Sequence, residues 1–131
     1  MIQQDFMRKA IDLATENERS ANGAPFGAVV VKEGQIIGIG VNEVWATNVP
    51  TAHAEIQAIL EACRNLNTTN LSDCEIYAST EPCPMCLSAI YYTQIKTVYF
   101  SNASNSSQDY VYNQLSLPHE ERAIKMVQLM L

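Results

Sequence analysis

Hydrophobic positions along the chain switch between two periodicities. Phe6, Ala10, Leu13 and Ala14 recur at helical spacing between Asp5 and Ser20, which predicts a first helix ended by the Asn22-Gly23 pair. Phe26 to Val31 and Gln35 to Val41 are apolar, β-branched runs divided by Glu33-Gly34, the pattern of an antiparallel hairpin. Ile56, Ile59, Leu60 and Cys63 return to helical spacing after Pro50-Thr51, so a second helix is expected from near Ala52 with that stripe buried. A polar break at Asn65 to Asn70 precedes a strand-like run from Cys74 to Ser79, a helix-like segment from Cys83 to Thr93 and a further strand from Thr97 to Ser101. The Ser- and Asn-rich stretch from Ser101 to Asp109 reads as an exposed loop, and Lys125 to Leu131 as a fifth strand.

Strands that alternate with helices imply parallel pairs joined by crossovers. The expected class is therefore α/β, a three-layer α/β/α arrangement with a mixed five-stranded sheet covered by helices on both faces. At 131 residues and 47% hydrophobic, the chain has the size of one domain, 1–131, with a single core.

Charge narrows the partners. Eight Lys and Arg stand against fourteen Asp and Glu, a net charge of -6, so the chain lacks the excess cations that neutralise a phosphate backbone, and a nucleic-acid partner is not expected. No long apolar segment suggests a membrane span or a signal peptide. A cytoplasmic location follows, where Cys63, Cys74, Cys83 and Cys86 are poor material for structural disulfides.

The chemistry concentrates in Glu81-Pro82-Cys83-Pro84-Met85-Cys86. Pro84 suits the first position of a helix and makes Cys83 its cap; Cys86 lies one turn on, so both sulfurs sit where a helix start stabilises a thiolate. A redox pair, half of a structural zinc site and a catalytic metal site all share that geometry. Thr51-Ala52-His53-Ala54-Glu55 separates them, because it puts His53 at the start of another helix in line with Ile56 and Leu60, facing inward. His53, Cys83 and Cys86 together form a ligand set for tetrahedral Zn2+. Cys63 and Cys74 read as small buried residues and His119 as a solvated one, which leaves the fourth position open, as a catalytic zinc requires. Glu55, two residues after His53, then reaches the open side and serves as the proton carrier, a residue for which a non-catalytic zinc scaffold has no use.

His53-Ala54-Glu55 with Pro82-Cys83-Pro84-Met85-Cys86 is the signature of zinc nucleobase deaminases, and the chain resembles the cytidine deaminase superfamily, within it the guanine deaminases most closely. Gly23-Ala24-Pro25-Phe26-Gly27-Ala28-Val29, Asn42, Pro50 to Glu55, Glu81 to Leu87, Ala89 to Tyr92 and Glu120-Glu121-Arg122 carry the resemblance. It implies hydrolytic deamination of a small nucleobase, guanine first, with a tRNA adenosine deaminase, a cytosine deaminase or a deaminase of another amino-heterocycle as alternatives. It also implies that Asn42 hydrogen-bonds the base, that the Ala54 N–H faces its carbonyl, that Phe26 lies against its ring, and that the protein is a homodimer, for which Tyr91 and Tyr92 are exposed aromatics. Two departures stand out. Guanine deaminases of this type continue into a C-terminal segment that is swapped between subunits, whereas this sequence ends at Leu131, and Gln108-Asp109 is less acidic than the matching stretch of that family.

Overall fold

A computed structural model describes residues 2–131. Its first helix, α1 (Gln3–Glu18), begins where the Asp5 carboxylate accepts the Ile2 N–H at 3.0 Å, satisfying one donor that the helix leaves free. Strands β1 (Gly27–Lys32) and β2 (Gln35–Val41) pair antiparallel. Glu33 and Gly34 both have positive φ, 50° and 75°, the backbone of a two-residue hairpin turn whose twist matches its strands.

A short helix α2 (Val44–Thr47) leads to α3 (Ala54–Leu66), then β3 (Cys74–Thr80), α4 (Pro84–Thr93) and β4 (Val98–Asn102). Two 3₁₀ turns, Ser106–Gln108 and His119–Glu121, flank a last short helix α5 (Tyr110–Leu115). The strand order is β2-β1-β3-β4, with β1 antiparallel to both neighbours and β3 parallel to β4. The parallel pair is the one joined by a helix, α4, as a crossover requires.

Central strand β1 is apolar on both faces because both are covered. Ala28, Val30 and Ile76 turn toward Ala54, Ala58, Ile59, Ala62 and Ile90 of α3 and α4, while Val29, Val31 and Tyr77 meet Phe6, Ala10 and Leu13 of α1. The period-two alternation of the strands thus sorts two cores, and the three layers are those expected.

Three expectations change. The sheet has four strands, not five: Lys125 to Leu131 is irregular and exposed. Apolar residues do not make a strand without a neighbour to take up their N–H and C=O groups, and this segment pairs with none of the described strands. The second helix starts at Ala54 rather than Ala52, because His53 is extended (φ -75°, ψ 158°) and serves as its cap. Its buried face is Ala54, Glu55, Ala58, Ile59 and Ala62, while Leu60 is 43% exposed. Small side chains face the sheet there because α3 lies close to β2, whose Gly38 and Gly40 leave room for it: a methyl group added at Gly40 would meet the Ala54 carbonyl and stand 2.5 Å from the Ala58 nitrogen.

Candidate active site

Two helix starts are brought together above the end of the sheet. Cys83 caps α4 and is followed by Pro84, whose missing N–H costs nothing at that position, and His53 caps α3. The His53 Nδ1 lies 3.6 Å from the sulfur of Cys83 and 3.6 Å from that of Cys86. Zn–S bonds of about 2.3 Å and Zn–N bonds of about 2.0–2.1 Å at a tetrahedral angle set nitrogen and sulfur about 3.6 Å apart. The spacing is that of ligands around one zinc, and all three ligand atoms fall within 4.8 Å of one another.

Among the described residues this is the one group of His, Cys, Asp and Glu side chains close enough to share an ion. Cys63 and Cys74 lie elsewhere, packed with the α3 and α4 side of the core, and His119 is exposed in the second 3₁₀ turn beside Glu120. Three protein ligands with a fourth position left for water or substrate is the catalytic pattern. The thiols carry the matching electrostatics: the Cys86 thiol and nearby N–H groups lower Cys83 to about 5, and the Cys83 thiolate together with burial pushes Cys86 up. A shared divalent cation removes that conflict by holding both sulfurs deprotonated.

Glu55 is buried next to this cluster without belonging to it. Desolvation raises its carboxyl above the ordinary carboxylate range, against the lowering effect of its own backbone N–H, which suits a group that must both take and give a proton near neutrality. Glu55, His53, Cys83, Ala54 and Phe26 all line one cavity of about 460 Å³, a volume within the range of small-molecule sites.

Asn42 is placed differently. It is buried at the end of β2, where its Oδ1 accepts the Val44 N–H at 3.1 Å and its backbone carbonyl accepts from the Asn17 side chain at 2.9 Å. A side chain at Gly23 would overlap Asn42, so that glycine makes its seat. Asn42 is not among the residues lining the cavity, although its Nδ2 donates to no group among the described residues.

Residues 104–109 are solvent-facing, as the sequence predicts, and Ser104, Asn105, Ser106, Gln108 and Asp109 also form a wall of the cavity, with Ser79, Thr80 and Glu81 beside them. A Ser- and Asn-rich composition does not signal this; the family resemblance marks only Gln108-Asp109 of the stretch.

The model for the cytidine and deoxycytidylate deaminase zinc-binding region matches residues 1–102. The chain belongs to that family. Guanine deaminase of Bacillus subtilis (strain 168) is 43% identical over all of this chain and 88% of its own length, and its X-ray structure superimposes with a TM-score of 0.94 at 42% identity, covering 100% of this chain and 87% of that one. A tRNA-specific adenosine deaminase of Aquifex aeolicus (strain VF5) is 52% identical, but over 59% of this chain and 51% of its own. The guanine deaminase of Nitrosomonas europaea matches with a TM-score of 0.74 at 30% identity, over 82% of this chain and 62% of that one. Family membership and the ligand spacing make this a zinc-dependent hydrolytic deaminase.

Proposed function

We propose that the protein converts guanine and water to xanthine and ammonia. The observation that carries this reading is the full-length likeness to guanine deaminase, loop 102–109 and the C-terminal part included, where the likeness to the tRNA enzyme of Aquifex aeolicus spans little more than half the chain.

His53, Cys83 and Cys86 would hold the zinc, which when bound there would supply an acidified water as the nucleophile. Glu55 handles the protons. Its carboxylate takes one proton from the attacking water and delivers it to the ring nitrogen, then takes the second from the hydroxyl added to the ring carbon and passes it to the amine, so that the carbonyl forms as the C–N bond breaks and ammonia departs. Burial keeps that proton on a path between nucleophile and base and away from solvent.

The base is oriented by groups with bonds to spare. The N–H of Ala54, in the first turn of α3, has no partner within its helix and faces the base carbonyl. Phe26, 37% exposed at the cavity, supplies a flat apolar surface for the ring. Asn42 offers its Nδ2 to the base edge once substrate reaches the end of β2. The working form on this reading is a single domain, 1–131, in a cytoplasmic homodimer. Free thiols on all four cysteines suit a reducing compartment, and Tyr91 and Tyr92 on α4, 75% and 88% exposed, offer aromatic surface to a second copy.

Ammonia release from guanine, guanosine, cytidine and an adenosine-bearing RNA loop at equal concentration tests the assignment. Free guanine is expected to react fastest. Preference for the RNA loop would transfer the protein to the tRNA enzymes, and silence on all four would point to another amino-heterocycle.

A further inference from the structure

The deamination chemistry leaves Glu81 without a role, although it lines the cavity two residues before Cys83. Its carboxylate is forked across the loop that follows β4: Oε1 accepts the Ser104 N–H at 3.2 Å and Oε2 accepts the Ser106 hydroxyl at 2.8 Å. The backbone adds three bonds to the same junction. The Glu81 N–H donates to the Asn102 carbonyl at 2.7 Å, the Ser104 hydroxyl donates to the Glu81 carbonyl at 3.3 Å, and the Asn102 side-chain amide donates to the Ser79 carbonyl at 3.2 Å.

These bonds begin where the sheet stops. The parallel pairing of β3 and β4 ends at Thr80 and Asn102, so no ladder holds the chain beyond. Asn105 then takes a left-handed backbone, φ 53°, and the wall from Ser104 to Asp109 folds over the cavity. Along that wall, one oxygen of Asp109 is occupied, its Oδ1 capping α5 by accepting the Val111 N–H at 2.8 Å. Gln108 is not: it lines the cavity, and its side-chain amide meets no partner among the described residues. Among the described residues no Lys or Arg lines the cavity, so uncharged amides and hydroxyls such as this one are the side-chain donors the wall offers for reading a base.

We infer that Glu81 is a positioning residue for substrate: its forked carboxylate latches the 102–109 wall against the cavity and so presents the Gln108 amide to the bound base. The inference rests on the guanine reading for its substrate. A charged acceptor suits the task, because hydrogen bonds to an ionised carboxylate are about twice as strong as neutral ones. The latch also joins the wall to the turn that carries Cys83, so the substrate-reading surface and the metal-bearing helix start share one anchor.

Glu81→Ala, Glu81→Gln and Ser106→Ala test the latch by kinetics, metal content and hydrogen exchange. Glu81→Ala is expected to raise KM for guanine on the order of tenfold while kcat and zinc content hold, since bonds to a charged group are lost from the wall and none from the reacting atoms. Amide exchange across 102–109 should rise in the same variant. Glu81→Gln should restore most of KM, its Oε1 still accepting from Ser104 and its amide donating to the Ser106 hydroxyl. Ser106→Ala should raise KM less, and should add nothing in the Glu81→Ala background. A fall in kcat at constant KM in Glu81→Ala would overturn the role. So would unchanged exchange in 102–109, even in a protein that proves silent on guanine. Were Glu81→Ala to misfold, unchanged KM and exchange in Ser106→Ala would overturn it just as well.

Discussion

Glu55 shows what one residue contributes when its surroundings are fixed. Carboxylates near a helix start are ordinarily solvated and favour the dipole; this one is buried, and burial holds a proton on it more firmly than water would. A closed structural zinc would gain nothing from such a group, and its desolvation would count against the fold. Replacing it by Gln keeps shape and hydrogen bonding but removes the proton shuttle. We expect Glu55→Gln to retain zinc and Tm while turnover falls on the order of a hundredfold or more. Steady-state ammonia release beside metal analysis checks this, and wild-type turnover in the variant would deny Glu55 a catalytic role.

Helices hold these residues at the right height. The imidazole of His53 is set by the distance of α3 from β2, and that distance is short because Gly38 and Gly40 face Ala54, Ala58 and Ala62. A methyl group at Gly40 must push against backbone atoms of the helix, which cannot rotate away as a side chain would. Gly40→Ala should therefore cost about 1–3 kcal/mol of stability, read as a Tm lower by roughly 5 °C or more. Because Ala54 directly follows His53, the variant should also hold zinc more weakly. An unchanged Tm and zinc affinity would mean that α3 is free to shift without moving the ligand.

At the scale of the whole molecule, the zinc site joins helix starts thirty residues apart in sequence, from either side of β3. Metal binding to the folded chain then adds directly to its stability. Protein purified without added zinc should carry about one zinc per chain, and removing it with a chelator should lower Tm as well as abolish activity. A zinc content near zero, or a Cys83–Cys86 disulfide that persists under reducing conditions, would return the pair to redox chemistry. The net charge of -6 acts at this scale too: it gives a polyanion no electrostatic steering, in keeping with a small neutral base as substrate.

What the sequence determined by itself is local chemistry. Cys83-Pro84 dictates a capped helix start, Glu33-Gly34 a tight hairpin, and the unbroken apolar run through Val29, Val30 and Val31 two covered faces, because each depends on backbone preferences and periodicity within a few residues. The grouping of His53, Cys83 and Cys86, whose ligand atoms fall within 4.8 Å of one another, was legible for the same reason: both halves sit at helix starts that the sequence marks. Tertiary structure decided the rest. Leu60 matched the helical period and is exposed, while Ala58 and Ala62 are buried, because the face a helix presents is chosen by the glycines of another strand. Lys125 to Leu131 has the apolar content of a strand, yet pairing requires an edge, which no segment supplies alone. The cavity wall at 104–109 is furthest from reach, since a Ser- and Asn-rich loop acquires its function solely from where the end of β3 and the fork of Glu81 hold it.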